Sequence, residues 1–79
     1  MPNPVRERLR LKIEFPVDIK GSVQLIDGKG RLLYISENNF SEGTNYLTIT
    51  EVANWPAGIY YIRLNTGASN ILEKFSLTK

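Results

Sequence analysis

The sequence contains no cysteine and no histidine among its 79 residues. These residue types supply the usual ligands of zinc, haem and iron–sulfur centres, and cysteine supplies disulfides, so we expect no cofactor, no metal and no disulfide. The same absence removes the thiol nucleophile and the imidazole base on which many hydrolases depend. Because a chain without cysteine carries no sign of its redox compartment, a secreted location stays open.

The carboxylates do not compensate for this lack. Aspartate and glutamate fall in predicted turns or on strand faces, without the spacing of a glycosidase pair or of a calcium loop. A serine–lysine pair remains open, although each serine has an ordinary strand or turn position. We therefore predict no catalytic residues and no enzyme activity, with a small enzyme as the remote alternative.

Long apolar runs are also missing. No segment approaches the roughly 18–20 apolar residues that a membrane-spanning helix needs, so we expect no insertion into a membrane. No apolar stretch follows the N-terminus, and the chain therefore shows no secretory signal peptide. Met1 stands directly before Pro2-Asn3-Pro4, as expected of a start codon added to a domain excised from a longer protein.

Positive charge is in slight excess but is not concentrated. The net charge is +2 and the isoelectric point is near 9.1, and the excess comes largely from residues 6–12. A nucleic-acid-binding protein normally shows a denser basic patch with exposed aromatic residues, whereas the aromatic residues here lie within apolar runs. We therefore expect no nucleic-acid partner. The length allows a single domain, which we assign to residues 1–79.

Alternation of polar and apolar residues predicts the first strand. Residues 8–15 alternate throughout, and their apolar side chains share one face of a strand: Leu9, Leu11, Ile13 and Phe15. The other face is basic. We interpret it as a solvated face that also discourages pairing with another chain.

Four further strands are predicted by short β-branched and aromatic segments that lie between turn signals. They span residues 22–26, 31–36, 44–50 and 71–77. The segment 31–36 is apolar on both faces, and the last segment places Ile71, Phe75 and Leu77 on one face. Residues 37–42 are predicted to form a polar loop whose Phe40 packs back onto the core, and residues 51–54 a connection with one turn of 3₁₀ helix.

The most apolar strand follows a proline turn. Pro56 suits the second position of a type I turn and Gly58 the fourth. Residues 59–64 are almost entirely apolar, which predicts a central strand covered on both faces. The count is six strands, or seven with the Phe40 segment. The spacing of turns then predicts an all-β fold, a small immunoglobulin-like antiparallel β-sandwich of six to seven strands.

Several short motifs follow one another along essentially the whole chain. They are Pro2-Asn3-Pro4, Asp27-Gly28-Lys29-Gly30-Arg31, Gly43 to Leu47, Pro56-Ala57-Gly58-Ile59-Tyr60 and a closing strand with Lys74-Phe75. In this order and spacing they resemble the C-terminal sorting domain of type IX secretion cargo, the type A family (Por secretion system) of Bacteroidota. Trp55 departs from the family pattern, which usually carries leucine before Pro-Ala-Gly, although tryptophan can fill the same space.

The resemblance implies a secretion signal rather than a catalyst. Domains of this family end proteins that reach the periplasm through an N-terminal signal. Outer-membrane machinery, including a translocon and a shuttle, recognises the domain and carries the covalently attached N-terminal cargo through. A sortase-like peptidase then usually removes the domain, and the cargo is released or joined to a lipopolysaccharide anchor. The implied location is the periplasm in transit and then the cell surface or the extracellular space.

The resemblance also implies roles for the residues that match the family motif. One group would shape the backbone: Pro2, Asn3 and Pro4 at the start of the domain, just after the cut region, Gly28 and Gly30 in the hairpin, Gly43 at the start of its strand, and Pro56, Ala57, Gly58 and Tyr60 in the central turn. The other group would be recognised by the machinery: Lys74, Leu77 and Lys79.

The main alternative is an immunoglobulin-like or fibronectin-like accessory or adhesion module. The Ig-like domain of the flagellar hook-capping protein shares Asp-x-x-Gly and Pro-Ala-Gly-x-Tyr features. A sorting domain must end its polypeptide, whereas an accessory domain tolerates further sequence. The chain ends two residues after Leu77, the end of the predicted last strand, which favours the sorting interpretation. An unpaired strand edge would permit either a monomer or a strand-exchanged dimer.

Overall fold

The computed structural model describes residues 7–78, which form six β-strands and one short 3₁₀ helix. The strands are β1 (Leu9–Phe15), β2 (Ile19–Asp27), β3 (Leu32–Phe40), β4 (Gly43–Ile49), β5 (Gly58–Thr66) and β6 (Asn70–Leu77), with the 3₁₀ helix at Glu51–Asn54. All pairings are antiparallel. The predicted all-β class, the count of six strands and the 3₁₀ turn are confirmed.

The strands form two sheets of unequal size. β1 pairs with β4, and the other four strands form a sheet in the order β3-β2-β5-β6. One face of each sheet is turned towards the other, so the arrangement is sandwich-like. Because the smaller sheet has half as many strands, part of the larger sheet is left uncovered.

The core is built from the inward residues that alternation predicts. In β1, Leu9 and Leu11 are buried, and Ile13 and Phe15 are half-buried. All described strands contribute to one cluster of buried residues: Leu9, Leu11, Val23, Leu25, Phe40, Ile49, Val52, Tyr60, Ile62, Leu64, Phe75 and Leu77. Within residues 7–78, no buried side-chain nitrogen or oxygen lacks a hydrogen-bond partner, so this core carries no unpaired polar group.

The central position of β5 is confirmed, but its predicted burial on both faces is wrong. β5 lies between β2 and β6. Tyr60, Ile62 and Leu64 are buried, whereas Ile59 on the other face is 44% exposed. The prediction followed from the apolar composition of β5, which is typical of strands covered on both faces. Within residues 7–78, however, no layer packs on the outer face of this sheet.

The predicted loop at residues 37–42 is also wrong, because β3 continues to Phe40. The polar residues 37–39 stay in register with β2, and Phe40 pairs with Ile19. β3 lies at the edge of its sheet, where polar outward side chains remain solvated, so a polar sequence is compatible with a strand. Phe40 is buried as predicted, with its ring centroid 5.0 Å from that of Phe15. It extends β3 and adds no seventh strand.

Several apolar side chains on the two edge strands of the larger sheet are exposed. Leu32 and Ile35 belong to the β3 segment predicted to be apolar on both faces, and they are exposed because nothing within residues 7–78 covers the outer face of this sheet. Ile71 lies on the same face of β6 as the buried Phe75 and Leu77, but it is itself exposed. The smaller sheet therefore covers one end of β6 and not the other.

Candidate recognition surfaces

The turn before β5 is held to the core by one tyrosine. The Tyr60 hydroxyl donates a hydrogen bond of 2.6 Å to the carbonyl oxygen of Pro56. The Tyr60 ring lies 5.5 Å from that of Trp55 and 5.8 Å from that of Phe75. The chain bends at Trp55 and Ala57 without the hydrogen-bonded type I turn that the sequence predicted. A side chain thus fixes this exposed segment, much like the tyrosine corner of immunoglobulin-like sandwiches.

The β2–β3 hairpin is organised by the Asp27 carboxylate. It accepts hydrogen bonds from the backbone N–H groups of Lys29 (2.9 Å) and Arg31 (2.8 Å), and from Arg31 Nε (3.2 Å). The backbone bond from Arg31 is the main cause that lowers the pKa of Asp27 below its ordinary value of 3.8. Gly30 has φ +88°, whereas Gly28 is not at positive φ, so only one of the two predicted glycines supplies that conformation.

Lys74 lies on the uncovered outer face of the larger sheet, where it is exposed and pairs in register with Tyr61. Arg63 is the other cation near the middle of this face. Around them are the exposed apolar side chains Leu32, Ile35, Ile59 and Leu72 and the half-buried Ile26 and Tyr61. We call this set of residues the outer face: Leu32, Ile35, Ile59, Leu72, Ile26, Tyr61, Arg63 and Lys74. It combines apolar area with positive charge, which suits protein recognition.

The family model for the secretion system C-terminal sorting domain matches residues 1–78. The chain belongs to this family. The sequence resemblance is therefore confirmed, and the role that the family carries is a type IX secretion sorting signal with export to the cell surface or beyond. No curated protein and no solved structure matches the chain.

The structure places the family-motif residues of the sorting domain in different surroundings. Pro56, Ala57 and Gly58 are exposed at the bend, and Gly43 begins β4 with φ +96°. Leu77 is 2% exposed, so its side chain is unavailable to a partner while the domain is folded. Four others lie outside the described residues: Pro2, Asn3, Pro4 and Lys79.

A groove beside β1 is a feature that the sequence did not reveal. It has a volume of about 210 Å³ and lies between β1 and the β5–β6 pair, lined by Leu11, Lys12, Ile13, Ile62, Leu64, Ile71 and Glu73. The sequence contains one indication of it: the strands of the larger sheet carry more inward apolar residues than a sheet of two strands can cover. This indication locates the groove only once it is known that β1 and β4 form the smaller sheet.

Residues 7–78 contain neither a cluster of metal-ligating side chains nor a helix long and apolar enough to cross a membrane. No group of three or more histidine, cysteine, aspartate or glutamate side chains there could hold a metal ion. Within the same residues, no helix has the length and apolar character needed to cross a bilayer.

Proposed function

We propose that the sorting domain directs a protein attached to its N-terminal side from the periplasm across the outer membrane by the type IX secretion system. The family match over residues 1–78 carries this proposal, because it leaves almost no part of the chain for another function. The domain acts as a substrate of the translocon and shuttle and not as a catalyst. A sortase-like peptidase then cuts before Pro2-Asn3-Pro4, and the cargo is anchored or released.

The outer face is the surface that we propose the machinery reads. Lys74 is exposed there, while its neighbour Phe75 is fully buried and fixes β6 in place. The charge of Lys74 is thus presented from a rigid strand beside the apolar side chains of Ile59 and Leu72. Because the strand backbone is already ordered, binding a partner there would order the Lys74 side chain and not the strand itself. Lys79, just beyond β6, is the second proposed contact.

Fusion to a reporter tests the function. Residues 2–79 are joined to the C-terminus of a protein that folds in the periplasm, in cells with and without the type IX translocon. We expect the reporter outside the first cells and in the periplasm of the second. A folded reporter that stays in the periplasm of both would contradict the proposal and favour the accessory-module interpretation.

Substitution of Lys74 tests the surface within the same assay. Truncation before Phe75 is unsuitable, because it would remove Phe75 and Leu77 from the core. Lys74→Glu changes only an exposed position, and Lys29→Glu in the exposed hairpin is the matched charge control. We expect about tenfold less export for Lys74→Glu, the effect of losing roughly 1.4 kcal/mol of binding, and no loss for Lys29→Glu. Equal export of both variants would exclude Lys74 as a contact.

A further inference from the structure

The free edge of β1 borders a part of the core that no strand covers. β1 pairs with β4 on one side, and among residues 7–78 no strand pairs with its other side. Across the groove, Ile71 and Glu73 are exposed, although they share a face with the buried Phe75 and Leu77. One more strand in the smaller sheet would lie over this exposed end of β6.

The dimensions of a sheet define what such a strand would contact. A strand added to β1 would lie about 4.8 Å from it, with alternate side chains directed to opposite faces. One set of side chains would enter the groove towards Leu64 and Ile71, which requires apolar residues. Backbone hydrogen bonds to the β1 edge would supply the rest of the contact.

The charge of β1 defines the other set of side chains. Arg10, Lys12 and Glu14 are exposed on the face of β1 that points away from the core. The exposed Arg8 directly precedes the strand, so cations predominate in the first half of this face. Arg10 pairs in register with Thr48 and Lys12 with Tyr46, so neither cation faces an acid across the sheet. Within residues 7–78 neither forms an ion pair. Outward acidic residues on an added strand would lie beside these cations, and opposite charges in that position are favourable.

We propose that the β1 edge and the groove form a binding site for an extended segment of a partner protein in which apolar and acidic residues alternate. This site differs from the outer face and does not depend on the proposed role in export. A second copy paired antiparallel through β1 and centred on Leu11 would set Arg10 against Lys12, which is unfavourable. Residues 1–6 of the chain contain two prolines and no acid, which makes them poorly suited to this edge.

Peptide binding to the full chain tests the proposal. The probe is a short peptide that alternates valine and glutamate, and the control peptide alternates valine and lysine. Titration is followed by the amide NMR shifts of the ¹⁵N-labelled protein. We expect the acidic peptide alone to bind, with shifts concentrated at Leu11–Ile13 and Ile71–Glu73 and with affinity that falls as salt is raised. Absence of binding to a folded protein, or equal binding of both peptides, overturns the proposal.

Two variants locate the site. Ile71→Asp should weaken binding because it places a charge in the groove, whereas Ile35→Asp on the outer face should not. The two isoleucines are a matched pair, 49% and 52% exposed, so the two changes should have similar effects on stability. If the two substitutions weakened peptide binding equally, the groove would be excluded as the binding site.

Charge reversal tests the specificity. Arg10→Glu combined with Lys12→Glu should weaken binding of the acidic peptide about tenfold and create affinity for the basic one. Unchanged preference overturns the proposed partner chemistry. Two further results would also overturn it: a concentration-dependent dimer joined through β1, or acidic-peptide binding that begins only after residues 1–6 are removed. The first would identify a second copy as the occupant, and the second would identify the chain's own terminus.

Discussion

Tyr60 joins an exposed bend to the core through both its ring and its hydroxyl group. The ring packs between those of Trp55 and Phe75, while the hydroxyl reaches the Pro56 carbonyl oxygen. The sequence predicted Tyr60 as part of a motif that leads into a strand. The hydrogen bond to the residue four positions earlier explains why a tyrosine is needed there and not another aromatic residue.

Tyr60→Phe should therefore destabilise the fold by about 1 kcal/mol, the usual net value of one hydrogen bond, since ring packing is kept and the Pro56 carbonyl can bind water. Urea unfolding measures this change. Tyr46→Phe is the matched control, because Tyr46 is 78% exposed and Tyr60 only 6%. Its effect should stay within about 0.5 kcal/mol. Equal stability of the two variants would show that the Tyr60 bond contributes nothing.

Ionisation of Asp27 should make the stability of the folded protein depend on pH in the acidic range. Its folded-state pKa lies below the ordinary value of 3.8, so the ionised carboxylate stabilises the folded protein above that pH. This stabilisation is lost as the pH falls through the folded-state pKa.

Asp27→Asn should lower the urea midpoint at neutral pH, and the difference from the unsubstituted protein should shrink as the pH falls below 3.8. Lys29→Gln is the control, because Lys29 contacts Asp27 through its backbone N–H, and it should keep the original pH profile. If the urea midpoint of Asp27→Asn differed from that of the unsubstituted protein by the same amount at every pH, the Asp27 charge would not stabilise the fold.

Among the elements, β2 is longer than the sequence predicted and lies inside the larger sheet. It pairs with both β3 and β5 and begins at Ile19, earlier than the predicted strand at residues 22–26. Gly21, which precedes the predicted strand, is buried within β2. A Cβ there would lie 3.0 Å from Thr66 Cγ2, 3.1 Å from the Asn65 carbonyl oxygen and 3.3 Å from Phe40 Cε2. Glycine thus permits close packing at this position.

Gly21→Ala should destabilise the protein by about 1 kcal/mol. Overpacking typically costs about 1–3 kcal/mol, and the lower backbone entropy of alanine in the unfolded chain offsets about 0.4–1 kcal/mol of it. Thermal and urea unfolding measure the change. Gly67→Ala is the control, since no atom lies within 4 Å of a Cβ there, and it should be neutral or slightly stabilising. A Gly21→Ala variant as stable as Gly67→Ala would show that the neighbours move aside without cost.

For the molecule as a whole, the unequal sheets explain both candidate surfaces. No layer within residues 7–78 covers the outer face, and the smaller sheet is too narrow to cover the end of β6. Most exposed large apolar side chains of the sorting domain lie on the outer face or, for Ile71, at the groove, whereas Val17 and Tyr46 lie elsewhere. The outer face is a broad sheet surface, whereas the β1 edge offers backbone groups beside a groove.

Small size limits how these surfaces can be tested. From its length of 79 residues we expect a stability of about 3–5 kcal/mol, and loss of a buried phenylalanine side chain such as Phe75 costs about as much. Removal of a large buried side chain would therefore unfold the domain and abolish any function. For this reason the proposed substitutions at Lys74 and Ile71 are both at exposed positions.

The sequence by itself determined the strand class, the six-strand count, the inward residues of β1 and the family. These properties follow from alternation and from the order of short motifs, which neighbouring residues specify. The tertiary structure alone decided that one face of β5 is open, that β3 runs to Phe40 and that β1 borders a groove. Sheet membership depends on hydrogen bonds between distant residues, such as the pairing of Gly21 with Thr66, and a local pattern does not contain it.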